Sequence, residues 1–281
     1  MINLWEIVVT NCERYYKKNG LCVSGNRYDL FKCKYKEKCK IYGANYYGAE
    51  AYIGDSAFNK DYLVIFLSLD QGKGSDQIES IRQRTKSMEK HVINDVSRLN
   101  KHMAGTIYTF LSLCKIFPGY EQEKKAIKKC EDKGSLKIVN NNIYGFGKEE
   151  NKEIREYVKN IILLNCVKCC KGDSMSNMPG ETFQYCEDYT KGELDVILNI
   201  IKSKKVILIC QGKQAMLQIS RKYKELLEQS TWEIGQKWFN NYGNLTINSN
   251  EIRIITGYHP SYRKGDIYQF ITGLNTKISN F

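Results

Sequence analysis

At 281 residues and 42% apolar content, the chain is long enough to bury a sizeable core as one large domain. No stretch approaches the roughly 20 consecutive apolar residues that span a bilayer. The first ten residues also lack the basic start and small-residue cleavage site of a signal peptide, so the expectation is a protein with no membrane partner in a reducing cytoplasm. A net charge of +12 predicts attraction to a polyanion, with DNA the first candidate, because neutralising phosphates releases their counterions. A lysine-rich composition inherited from an AT-rich genome accounts for the same charge.

In chain order, residues 1–55 read as a polar, Tyr- and Cys-rich segment without an obvious core helix, suited to folding around a metal. Four short apolar runs follow: Tyr62 to Ser68, Ile161 to Asn165, Val206 to Cys210 and Ile252 to Thr256. Their length, β-branched content and separation by helix-like segments predict buried strands of a mostly parallel sheet. Residues 72–120 begin polar and end with helical apolar spacing. Residues 121–156, rich in Lys and Glu with turn signals at Asn140 to Asn142, Gly145 and Gly147, read as a solvated surface excursion. Residues 191–203 and 212–228 read as helices flanking the third strand. Neither an internal repeat nor an interdomain linker interrupts residues 1–281, which read as one domain, and nothing marks an obligate protein partner.

The strand ends carry polar residues. The first run leads to Asp70, the second ends on Asn165, the third runs into Gly212 and the fourth into His259. Ligands of parallel α/β sheets bind outside the carboxyl ends of the strands, so one rim is expected to gather these residues. Each has a plainer role available: Asp70 as a turn residue before Gly72, Asn165 as a cap of backbone groups at a strand end.

Eleven cysteines without a secretory signal favour a metal site over a disulfide framework. Cys33 and Cys39 in FKCKYKEKCKIYG, Cys169 in LNCVKCCKG and Cys186 in ETFQYCEDY supply four thiolates suited either to a [4Fe–4S] cluster or to tetrahedral zinc. Cys114 and Cys210 lie within apolar segments and read as small buried hydrophobes.

Taken together, LLNCVKCCKGDSMSNMPGETFQYC, VILICQGKQA and IGQKWFNNYGNLTINSNEIRIITGYHPSYR resemble, in order and spacing, motifs of the uracil-DNA glycosylase superfamily, nearest its iron–sulfur (family 4-like) branch. The last segment is similar to that family's hairpin, final strand and His-Pro-Ser loop. The resemblance implies a three-layer α/β/α sandwich around a central, mostly parallel four-stranded sheet. Departures occur in the first motif, where Ser68-Leu69-Asp70-Gln71-Gly72 replaces the branch's Gly-Glu-Ala-Pro-Gly and puts a carboxylate where the classical uracil enzymes have theirs. Five residues separate Cys33 from Cys39 instead of the usual two.

By this resemblance Asp70 faces the sugar, orienting a water or balancing positive charge, and His259 donates a hydrogen bond to the departing base. Such a pair suits a bond that breaks into a cation-like sugar and an anionic base. Asn165 reads the Watson–Crick edge of a flipped base, with Gln71, Gly72 and His102 completing the base-binding set. In LNKHMAGT, Gly105 and Thr106 beside His102 are candidates for a phosphate or base contact. Pro260, Ser261, Tyr262 and Arg263 form a loop pressing into the minor groove, and Lys213 joins the DNA contacts.

Gly72 stands where classical uracil enzymes carry a Tyr that crowds carbon 5 of the base, so the expected substrate is a modified pyrimidine, with a bulky 5-substituted cytosine ahead of uracil. Superfamily members that remove glucosylated cytosine from phage DNA set the precedent for anti-phage defence. Uracil excision in base-excision repair is the alternative; a non-catalytic DNA-binding protein that retains the fold is another.

Overall fold

All seven residues from Tyr62 to Ser68 are buried, the pattern of a strand covered on both faces. The structure, a computed structural model, describes residues 3–21, 33–40, 45–48, 50–69, 80–94, 101–139, 142–170, 180–202, 204–226, 242–257 and 259–260. In chain order its elements are α1 (Leu4–Lys18), α2 (Lys36–Lys40), β1 (Asn45–Gly48), β2 (Tyr52–Ile53), β3 (Tyr62–Ser68), α3 (Ile81–Met88), α4 (Lys101–Ile116), α5 (Glu121–Asp132), β4 (Lys137–Val139), β5 (Asn142–Tyr144), α6 (Lys152–Glu156), β6 (Ile161–Asn165), β7 (Cys169–Cys170), α7 (Gly180–Ile200), β8 (Lys205–Gln211), α8 (Lys213–Lys222), β9 (Tyr242–Ile247) and β10 (Asn250–Gly257). A π-helical turn over Glu89–Asn94 continues α3.

The four apolar runs are β3, β6, β8 and β10, mutually parallel and adjacent in the order β6-β3-β8-β10. The sheet has six strands rather than the four expected, because antiparallel β2 and β9 extend the parallel core at its two edges. β9 and β10 form a hairpin closed by Asn248 and Ser249, both at positive φ (51° and 66°). Two consecutive left-handed residues match the right-handed twist of the flanking strands.

Side chains of a strand alternate between faces, and the two faces of β3 enter different cores. Leu63, Ile65 and Leu67 pack with residues of α1, α7 and α8, whereas Val64 and Phe66 pack with residues of α4 and α5. Helices therefore cover both faces of the sheet. No described helix is long and apolar enough to cross a membrane.

Two expectations are corrected. Within residues 1–55, α1 is a core helix: Asn3 caps its start by accepting from Trp5 N (3.1 Å), and Val8, Val9, Cys12 and Tyr16 are buried. Residues 121–156 are not a solvated excursion, since α5, the β4–β5 hairpin and α6 place Ile127, Phe146 and Ile154 in the second core. The buried Arg155 guanidinium fastens this region by donating to the carbonyls of Ile93 (2.7 Å), Phe146 (2.8 Å) and Lys148 (2.5 Å). Such a charge is held inside because its donors meet fixed carbonyls. The helices beside the third strand also differ in extent: α7 begins at Gly180, well before residue 191, and α8 ends at Lys222.

Candidate active site at the carboxyl rim of the sheet

Parallel pairing brings the ends of the four central strands to one rim. Ser68 at the end of β3 is in register with Asn165 at the end of β6, and Gln211 at the end of β8 with Gly257 at the end of β10. Main-chain bonding continues past the strands, with Cys166 N donating to Ser68 O (2.8 Å) and Val167 N to Leu69 O (3.1 Å). A buried chain then links the rim to α4: Ser68 Oγ donates to Gln211 Oε1 (2.6 Å), Gln211 Nε2 to Thr106 Oγ1 (2.9 Å), and Thr106 Oγ1 to His102 O (2.9 Å).

Gly212, the residue before α8, has φ of +108°, a conformation that glycine adopts without steric cost. Its open side contacts two neighbours, for a Cβ there would lie 3.5 Å from Leu69 Cδ2 and 3.6 Å from His259 Cβ. Gly212 is thus the point where β3, β8 and the segment after β10 meet.

His259 and His102 face each other with ring centroids 5.1 Å apart and planes tilted by 37°. Burial is the main reason that the His102 imidazole is pulled down to about 4; His259 adds to the shift, and a side-chain hydrogen bond to Gln211 opposes it. His102 is therefore a neutral ring at neutral pH, and its Nε2 is buried without a hydrogen-bond partner. Helix α4 approaches the segment after β10 so closely that a Cβ on Gly105 would sit 2.6 Å from Pro260 Cβ.

At the other end of the rim Asn165 is buried, and its Nδ2 makes no hydrogen bond. A buried amide left open is costly, which makes it a natural place for a ligand acceptor. Its main-chain carbonyl accepts from Lys168 Nζ at 2.5 Å, and Lys168 pairs with Glu193 of α7 in an ion pair closed to solvent. Burial pulls the Lys168 ammonium down to about 8 and pushes the Glu193 carboxyl upward.

The structure thus brings Asn165, His102 and His259 to one rim, with Lys213 exposed on the first turn of α8. Asp70, Gln71, Gly72, Ser261, Tyr262 and Arg263 lie outside the described residues. Two expectations change. Pro260 is buried against Gly105, so its own side chain does not face outward to a groove. Thr106 is fully buried with its hydroxyl engaged at both ends, and Gly105 is covered by Pro260, so neither is placed to meet a phosphate. Gln211, Lys168 and Glu193 were not anticipated. Gln211 had a signal, a polar residue closing an apolar run, whereas Lys168 and Glu193 are 25 positions apart and nothing local couples them.

Of the candidate metal ligands, Cys33, Cys39 and Cys186 are buried in the same core, and Cys169 lies on β7, in register with Gly48 of β1; the Cys169 side chain is outside the described residues. Burial raises Cys39 to about 11, with Cys33 adding to the shift. Burial likewise raises Cys186 to about 12, where Cys33 and Cys39 add and the Lys168 main-chain N–H opposes. Burial, more than their mutual repulsion, thus keeps Cys39 and Cys186 as thiols at neutral pH, and a bound thiophilic cation would have to displace those protons. Among the described residues no three His, Cys, Asp or Glu side chains are grouped to hold a metal ion. Cys114 and Cys210 are fully buried in the cores, as expected of small hydrophobes.

No protein-family model, curated protein or solved structure matches this chain.

Proposed function

We propose that the protein is a monofunctional DNA glycosylase of the uracil-DNA glycosylase type, hydrolysing the N-glycosidic bond of a modified pyrimidine, with a bulky 5-substituted cytosine as the favoured base. In this reading the sheet and its two helical coverings form a three-layer α/β/α sandwich whose carboxyl rim receives the flipped nucleotide. One observation carries the proposal: a buried amide with an open Nδ2, on Asn165, shares a rim with His259, three strand positions away. At about 4.8 Å per strand the ends of β6 and β10 stand about 14 Å apart, a span comparable to that of a base with a hydrogen bond at either edge.

Asn165 then reads the Watson–Crick edge, and His259 donates an N–H to the base as its negative charge grows. Asp70, next after Leu69 in the chain, faces the sugar. As the bond from the sugar C1′ to the base nitrogen breaks, its electron pair leaves with the base and a water oxygen bonds to C1′; the proton this water gives up balances the one the base anion takes up, giving a neutral free base and an abasic sugar. Lys213 and the segment from Ser261 to Arg263 contact the DNA backbone and the vacated space. Cys33, Cys39, Cys169 and Cys186 would hold a [4Fe–4S] cluster, or zinc, as a cross-link between the N-terminal segment and α7.

The test is mass-spectrometric identification of bases released from DNA containing uracil, 5-hydroxymethylcytosine or glucosylated cytosine. Asp70→Asn, His259→Ala and Asn165→Ala should each lower the single-turnover rate by about 100- to 1,000-fold. Exclusive release of uracil would move the assignment to repair. Failure to release any base, with DNA still bound, would leave a non-catalytic binding protein. Visible absorption of the same anaerobic preparation separates iron–sulfur from zinc.

A further inference from the structure

Lys168 and Glu193 are a costly pair to keep. Their side chains are 1% and 0% exposed, and one carboxylate oxygen, Glu193 Oε1, has no hydrogen-bond partner. An apolar pair of similar volume commonly serves stability as well or better. What the ion pair does that an apolar pair cannot is hold the carbonyl of Asn165, through Lys168 Nζ at 2.5 Å. The rest of this turn is held as firmly. Cys166 and Val167 donate to the Ser68 and Leu69 carbonyls, while Cys166 O accepts from Thr190 Oγ1 (3.3 Å) and Gln218 Nε2 (3.0 Å). The Lys168 main-chain N–H faces the Cys186 thiol closely enough to oppose the rise of its pKa. Main-chain groups from Asn165 to Lys168 are therefore fastened to β3, α7 and α8, while the Asn165 Nδ2 stays open.

We propose that Lys168 and Glu193 are positioning residues that fix the Asn165 peptide, and with it the direction of the base-reading amide. The inference rests on the glycosylase reading of the same rim. Glu193, on the long helix α7, anchors the ammonium, and the ammonium sets the orientation of the Asn165 carbonyl. A strand end tied only by neutral contacts would let the amide swing, and a displacement of about 1 Å at a reacting centre costs about 100-fold in rate.

The double variant Lys168→Met/Glu193→Leu separates positioning from stability, because an apolar pair keeps the core filled. We expect an unchanged or higher Tm, together with hydrogen exchange over residues 165–168 faster by about 10-fold or more, as local opening becomes easier. We also expect kcat/KM on the favoured base to fall about 100-fold, and its preference over the next-best base to collapse toward unity. If the double variant does not fold, Glu193→Gln decides, since it keeps the shape and a neutral acceptor; partial loss of base preference supports the inference. Wild-type base preference in either folded variant, or unchanged exchange in the double variant, overturns it. Should the wild-type protein release no base, the glycosylase reading fails, and exchange over residues 165–168 still decides whether the pair holds this turn.

Discussion

Among single residues, His102 shows how burial and a neighbour set a charge state. Its folded-state value is pulled down to about 4 from an ordinary 6.5, first by burial and then by His259. Between those pH values the unfolded chain takes up a proton that the folded protein refuses, so stability rises with pH across the window and is lost on acidification. Denaturant unfolding from pH 7 to pH 4 should show that loss, and His102→Gln, which cannot protonate, should flatten the wild-type slope over the same window. His259 and Asn165 were legible because each stands at or just past the end of an apolar run, where ligands of parallel sheets gather. The Lys168–Glu193 pair was not legible, since its meaning comes from burial and from contact between distant positions.

Elements repeat the lesson at longer range. β3, β6 and β8 were readable because strands buried on both faces appear as near-continuous apolar runs, and β10 because Arg253 alone interrupts its run from Ile252 to Ile255. Helix α5 was missed although Glu123, Ala126, Ile127 and Cys130 lie on one face at helical spacing, because lysines crowd the other face and mask the pattern. Helix α4 carries its own test. Replacing Gly105 by alanine should favour the helix by about 1 kcal/mol on propensity alone. The new Cβ, however, would meet Pro260 Cβ at 2.6 Å and the Pro260 main chain at 3.3 Å. Overpacking of this kind costs about 1–3 kcal/mol and is expected to win. A lower Tm, with excision impaired as the segment carrying His259 is pushed from α4, is the expected result; a higher Tm would show that the segment yields without cost.

For the whole molecule, the net charge of +12 predicts binding governed by phosphate contacts. If about four phosphates are neutralised, affinity for DNA should fall about 100-fold between about 50 and 200 mM salt. A salt-independent affinity, read by fluorescence anisotropy on a duplex, would reject that expectation. By itself the sequence determined the apolar strands, their parallel character and the polar residues closing them, because these are properties of short contiguous stretches. Only the tertiary structure decided the strand order, the two antiparallel edges, the facing imidazoles, the close passage of α4 over Pro260 and the buried pair behind Asn165. Those features arise where segments far apart in the chain exclude water together, and the free energy of that exclusion is not written in any one of them.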